Sequence, residues 1–374
     1  MTMTPARLFT TGNSMSARAA VDAGCRFFAG YPITPASEIF AEMTRALPAL
    51  GGVGMSAPDE ISAIAYCIGA SIAGARAMTA TSGPGWCLMI ESVGYAVMTE
   101  TPLVVAVVQR LGPCTGAATL GAQGDIGLVS MATSGGYTFP IFAPSSAQEC
   151  YEDTLRAFEW SERLRTPVVV LSDKEVSSTQ EVVDVAGLPS VPDFDRPRWS
   201  GDGPFDTYAF LREEDVPAFV PVGSSPAVTV TGSAHDKAGR LRKDDPETLS
   251  VLRHLQRKID AAEPELATVD WDPDPGARTL LISYGVSARA CRDALAIARS
   301  RGVAVSMVNA RTLFPLPRTA LARALEGIER VVVVEENLGG QYRMALGDVL
   351  RGKTVVGVNR MGAMIRPQEV VDAL

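Results

Sequence analysis

The sequence predicts an α/β protein built from two open, mostly parallel sheets. Three observations lead there. Up to about residue 185, helix-spaced apolar residues alternate with short apolar runs closed by Gly or Pro. The same rhythm returns at Thr279 and continues to the end. Between the two, prolines, glycines and aspartates cluster, and one stretch alone keeps a helical period. Alternating strands and helices imply parallel strands joined by right-handed crossovers. The expected division is therefore an α/β domain at 1–185, an extended connector with one helix at 186–276, and a smaller α/β domain at 277–374.

Taken in order, residues 13–23 read as a helix stopped by Gly24, and 26–30 as a strand. Tyr31-Pro32-Ile33-Thr34-Pro35 is a rigid loop, because each proline ring fixes φ and removes a ladder donor. Residues 36–47 form a helix with Ile39, Phe40, Met43 and Leu47 on its apolar side. The next unit organises the rest. Pro58 and Asp59 open a helix in which Ile61, Ile64, Ala65, Ile68 and Ile72 recur at helical spacing. Asp59 suits the cap, which puts Glu60 in the first turn. A short strand at 76–80 feeds the turn Thr81-Ser82-Gly83-Pro84-Gly85, and a helix follows at 86–98. The unbroken apolar run at 102–108 fits a strand covered on both faces, with Arg110 at its carboxyl end. Residues 112–125, rich in Gly, Thr and Ala, read as a mobile active-site loop. A strand at 140–143, a helix opened by the capping box Ser146-x-x-Glu149 and running toward Arg163, and a strand at 167–171 close the domain. In the connector, 246–262 is a charged amphipathic helix and 264–276 a second linker. Strands at 279–284, 304–308, 331–334 and 354–358 then alternate with helices at 288–301, 317–325 and 341–350.

Composition narrows the function. Of 374 residues only 20% are charged, which points to surface buried against a partner chain. The net charge of −8 argues against nucleic acid, whose phosphates need basic patches. No apolar stretch reaches the roughly 18 residues of a membrane span, and no signal-peptide pattern opens the chain, so the cytoplasm is the default. The six cysteines form no C-x-x-C pair, which speaks against an iron–sulfur cluster or structural zinc held by this chain alone. With only two histidines, His235 and His254, a His-based triad has little to draw on. A carboxylate opening one helix and a glycine turn opening the next are expected to meet at one edge of the sheet, where α/β folds bind ligands.

The ordered set of motifs resembles the alpha subunit of the 2-oxoacid:ferredoxin (or flavodoxin) oxidoreductases. It comprises Gly30-Tyr31-Pro32-Ile33-Thr34-Pro35, Asp59-Glu60-Ile61, the turn at 81–85, Gln109-Arg110, Gln123-Gly124-Asp125, Ser283-Tyr284-Gly285, Arg311-Thr312-Leu313, the run at 335–341 and Gly357-Val358-Asn359-Arg360. The resemblance covers nearly the whole chain. It implies a thiamine diphosphate pyrimidine-binding domain followed by a transketolase C-terminal-like domain. It implies oxidative decarboxylation of a 2-oxoacid to an acyl-CoA, with electrons passed to ferredoxin. The diphosphate and Mg²⁺ would be held by a beta subunit, because no G-D-G followed by the family's asparagine-containing metal motif occurs here. Iron–sulfur clusters would lie in partner chains.

The same resemblance assigns roles. Glu60 would share its proton with the coenzyme's pyrimidine nitrogen; the plain alternative is a helix-start glutamate favoured by the helix dipole. Ser82, Gly83 and Pro84 would border the ring, the glycine permitting close backbone approach, or would form an ordinary strand-to-helix turn. Arg110 would grip the substrate carboxylate with paired hydrogen bonds. The Thr34 hydroxyl would reach the keto or carboxylate oxygen. The plain alternatives for these two are a surface arginine and a loop hydroxyl. Glu335-Glu336-Asn337 reads as a turn at a subunit contact rather than a metal site, and His235 as a turn histidine satisfied by its neighbours. Two departures from the family pattern bear on the substrate. Gly12-Asn13 leads to Ser14 instead of an acidic residue, and Thr119-Leu120-Gly121-Ala122 stands where Thr-Arg-Pro-Glu is common. The second removes a cation, which shifts the expectation from a dicarboxylate such as 2-oxoglutarate toward a branched or aromatic acid. The alternatives in other classes are a beta-type subunit of a lipoamide-linked dehydrogenase and a non-catalytic partner subunit.

Overall fold

In the computed structural model, which describes residues 7–374, the first sheet has seven strands. Their order is Thr312–Phe314, Ile141–Phe142, Pro167–Asp173, Leu103–Gln109, Ala77–Thr81, Phe27–Gly30 and Val53–Ser56. All neighbours are parallel except the first pair. The central strand Leu103–Gln109 is buried along its whole length. Val105 and Val107 join one apolar cluster with Ile64 and Trp86, while Val104, Ala106 and Val108 join another with Met15, Ile39 and Phe158. A strand with helices on both faces has no polar side to offer, hence the unbroken valines.

Strand order reverses between Phe27–Gly30 and Ala77–Thr81. These two pair only at Phe27–Ala77 and Phe28–Met78, so the ladder stops short of their carboxyl ends. The loop carrying Thr34 and the turn at 81–85 leave from those ends, placing a crevice at the position where open α/β sheets bind ligands.

The second sheet runs Thr354–Asn359, Arg330–Glu335, Thr279–Ser283, Val305–Ala310, Val269–Asp272, the last antiparallel. Its order reverses between Thr279–Ser283 and Arg330–Glu335. One apolar cluster runs through both units: Ile126, Phe139 and Val169 pack in it with Leu280, Val308 and Val333.

Residues 188–245 carry only isolated bridges and lie along the first unit, where buried charges hold them. Arg196 donates to both oxygens of Glu162 and to the Ser71 and Ala75 carbonyls. Arg165 donates to the carbonyls of Glu100, Thr207, Pro217 and Ala218. Glu100 accepts from Lys258 Nζ at 2.6 Å and pairs with His254 Nε2 at 3.0 Å, tying in the helix Pro246–Leu266. Burial alone would raise the Glu100 carboxyl; the Lys258, His254 and Arg165 charges overcome it and hold the group well below the usual carboxylate range.

Several elements differ from expectation. Residues 264–276 are not a plain linker, because the helix continues to Leu266 and Val269–Asp272 pairs with Val305–Ala310. The strand Pro167–Asp173 does not close its sheet; Ile141–Phe142 and then Thr312–Phe314 lie outside it. Arg7–Thr10 and Glu181–Asp184 form a separate two-stranded ribbon, and the helix expected at 341–350 is regular only over Gln341–Ala345. Glu149 does not complete a capping box: Ser146 Oγ accepts from the Glu149 N–H, but the Glu149 carboxylate turns to Ser145 instead.

Candidate active site

Asp59 caps the helix Glu60–Ile72, its carboxylate accepting from the Ser62 N–H at 2.7 Å, as the Pro58-Asp59 start predicts. Glu60, the first residue of that helix, is buried against the next turn and does not itself line the cleft beside Arg110. The turn at 81–85 packs directly on Glu60. A Cβ added to Gly85 would lie 2.1 Å from Thr81 Oγ1 and 2.6 Å from Glu60 Oε1, so only glycine allows this approach. Among the described residues the Glu60 carboxylate has no hydrogen-bond or ion-pair partner. Ser82 precedes the helix Gly83–Met98 with its hydroxyl buried and unpartnered.

Arg110 is 6% exposed and therefore not a surface arginine. Its Nη1 donates to the Thr34 carbonyl at 2.6 Å, and its Nε has no partner. The structure thus brings the Thr34 loop and Arg110 together, with the Thr34 side chain at the surface. Gly83, Pro84 and Arg110 line a cleft of about 400 Å³, whose other walls include Leu111, Cys114, Asp125, Leu338 and Met361. Asp125 lies over Gly83: a Cβ there would sit 2.7 Å from its carboxylate. Burial pushes the Asp125 carboxyl up to about 6, against the pull of the Arg110 guanidinium.

The far wall is held by the second unit. Asp173, at the carboxyl end of Pro167–Asp173, is buried and accepts from Gln109 Nε2 at 3.1 Å and Gln123 Nε2 at 3.2 Å. Burial raises its carboxyl well above the ordinary value. Burial also raises Glu336, to about 7, and the neighbouring Glu175 carboxylate adds to the effect. Within the chain, Glu335, Glu336 and Asn337 are all buried, against Gln123 and the start of helix Gln341–Ala345. His235 is buried, its ring 4.0 Å from that of Tyr208 and its Nδ1 on the Asp236 carbonyl. The sequence motifs include Gln109 and Asp125 without giving either a role, and Asp173 was not singled out. The available signal was position: each sits at or just beyond the carboxyl end of a buried strand or at the end of the loop that follows one.

The model for the thiamine diphosphate-binding part of pyruvate flavodoxin/ferredoxin oxidoreductases matches residues 18–237, and that for core domain II of pyruvate:ferredoxin oxidoreductase matches 277–370. The chain belongs to this family. It is 41% identical over 339 residues to the 2-oxoglutarate synthase subunit KorA of Methanothermobacter marburgensis, a match covering 89% of each chain. Among solved structures it superposes with TM-score 0.93 and 27% identity on the 2-oxoglutarate:ferredoxin oxidoreductase from Magnetococcus marinus, solved with 2-oxoglutarate, coenzyme A and succinyl-CoA bound. That match covers 98% of this chain and 64% of the longer one. A split-gene transketolase subunit, at TM-score 0.57 and 14% identity over 98% of this chain and 97% of its own, shares the fold. The protein is thus an alpha-subunit homologue within the ferredoxin-dependent 2-oxoacid oxidoreductases. No helix among the described residues is long and apolar enough to cross a membrane.

Proposed function

We propose that this chain supplies the pyrimidine half of a thiamine diphosphate site in a cytoplasmic 2-oxoacid:ferredoxin oxidoreductase. The observation that carries the proposal is Glu60, a buried residue that makes no hydrogen bond or ion pair among the described residues, with the 81–85 turn packed against it. These residues fit the group: an unpaired acid for a ring nitrogen, and a side-chain-free turn for its edge. When bound, thiamine diphosphate supplies the electron sink that lets a 2-oxoacid lose its carboxyl group. Glu60 holds the proton shared with the pyrimidine nitrogen. Ser82, Gly83 and Pro84 present backbone to the ring. Arg110 binds the substrate carboxylate through its free donors, and Thr34 offers a hydroxyl to the keto or carboxylate oxygen. We assign Mg²⁺ and the diphosphate clamp to a beta subunit, and iron–sulfur clusters, where present, to further partner chains that pass electrons to ferredoxin; the relatives being named as subunits supports partner chains.

The name of the M. marburgensis relative, 2-oxoglutarate synthase subunit, supports 2-oxoglutarate as the acid handled here. A second reading, an apolar acid, draws on the cleft itself, where Leu111, Pro113, Leu128, Leu338 and Met361 accompany the single cation Arg110. Viologen reduction by the co-purified native complex, with CoA and a 2-oxoacid panel but without lipoamide, tests both. A sharp 2-oxoglutarate preference supports the first substrate, and a preference for branched or aromatic acids supports the second. Failure to reduce viologen with any 2-oxoacid overturns the assignment.

A further inference from the structure

The segment 111–125 has two unlike halves. Residues 112–116 and 119–120 are exposed, in a loop closed by a bridge from Leu111 to Ala117. From Ala122 the chain turns inward. Gln123 is fully buried, and every polar group it owns is used by distant residues. Its Nε2 donates to Asp173 Oδ2 and to the Tyr284 carbonyl at 2.9 Å. Its Oε1 accepts from Ser287 Oγ at 2.8 Å and from the Glu336 N–H at 2.8 Å. Its backbone N–H donates to the Glu336 carbonyl at 2.7 Å, and its carbonyl accepts from Asn337 Nδ2 at 3.0 Å. The side chain thus fills the reversal point of the second sheet, between Thr279–Ser283 and Arg330–Glu335. That is the kind of position an α/β unit normally gives to a ligand.

The neighbours of Gln123 form the cleft wall. Ala122, Gly124 and Asp125 all line the cleft that Arg110 enters. Gln341 fastens the wall a second time, donating to the Gly124 carbonyl at 2.8 Å and accepting from the Gly127 N–H at 2.7 Å. The Asp125 N–H donates to Gln109 Oε1, and Gln109 shares Asp173 with Gln123. Asp173 is therefore one node joining the anchor to the end of strand Leu103–Gln109, the residue before Arg110.

We propose that Gln123 is a positioning residue: seated in the second unit's crevice, it holds the wall 122–125 against Gly83 and Arg110 and so sets the affinity for the acid substrate. The inference rests on Arg110 being the substrate-carboxylate binder. A group that shapes the binding wall without touching Glu60 should act on KM more than on kcat. In the native complex, Gln123→Ala is expected to raise KM for the preferred 2-oxoacid about tenfold, with kcat kept within roughly threefold, the scale of one lost strong hydrogen bond. Gln123→Glu adds a pH signature. The ionisable groups facing the position are Asp173, Glu336 and Tyr284, with Glu175 and Glu335 behind them. A neutral glutamic acid fits among them and a carboxylate is repelled, so KM in this variant should be near wild type at low pH and climb as pH rises. A wild-type KM in both variants, a fall in kcat alone, or a pH-independent KM in Gln123→Glu overturns the proposal. Chymotryptic cleavage after Leu120 in the full-length chain gives a readout independent of activity. It should accelerate in Gln123→Glu at high pH, and unchanged cleavage counts against the anchor. Loss of all 2-oxoacid activity in the wild-type complex would strike the assignment of Arg110 but leave this cleavage test standing.

Discussion

The seam along the connector and the crevice at the sheet edges bury charge in opposite ways. In the seam each buried charged group is paired or hydrogen-bonded: Glu162 with Arg196, Glu100 with Lys258 and His254 through one oxygen while its Oε1 stays without a partner, and Arg165 with four carbonyls. In the crevice, Glu60 has no partner, and Arg110 Nε, Asp125 Oδ2 and Ser82 Oγ are buried without one. Buried polar atoms are nearly always satisfied, so a cluster of exceptions needs a reason. The contrast separates charge that fastens an irregular chain from charge kept ready for a ligand.

The comparison breaks first at Glu60. If the crevice charges serve chemistry, Glu60→Ala in the assembled complex should cut viologen-linked turnover by about 10²–10⁴, the range of a proton-handling group, while size-exclusion profiles stay unchanged. A comparable loss of assembly instead would make Glu60 part of the architecture. The seam predicts the reverse. Glu100→Gln leaves Lys258 buried without its counter-ion and should destabilise by about 3–5 kcal/mol in urea unfolding, with kcat of the folded fraction unchanged. The smallest of the three effects belongs to Glu336, which lies between the two units. Its carboxyl stands near 7 in the folded chain against an ordinary 4.5. The folded state therefore holds the proton more tightly than the unfolded state across that interval, and stability falls as pH rises from about 4.5 to about 7, then levels. Glu336→Gln should flatten that slope, worth on the order of 3 kcal/mol, in unfolding midpoints measured across the interval.

What was legible in the sequence was mostly local. The Asp59 and Ser146 caps, the both-faces-buried strand at 103–109 and the glycine turn at 81–85 follow from residue types within a few positions. The meeting of Glu60 with the 81–85 turn followed from a carboxylate and a glycine turn opening successive helices at one sheet edge, whereas Thr34 and Arg110 came from the family resemblance. What escaped is long-range. Val269–Asp272 and Thr312–Phe314 are strands only because partners far along the chain supply their ladders, and neither carries a strong signal of its own. Gln123 looked like part of a mobile loop because a glutamine among glycines says nothing about seven hydrogen bonds to residues 173–337. Asp173 was readable in hindsight, as an acid ending a wholly apolar strand.

Thr312–Phe314 has a consequence for how the molecule is made. It lies beside Ile141–Phe142 as the outermost ribbon of the first sheet, though it is synthesised some 170 residues later. As the chain leaves the ribosome, the earlier portion carries a bare margin of unsatisfied amides until residue 314 emerges, and such margins invite mispairing. A gene cut at 276 would leave that edge bare in the first product until the second product docked and covered it.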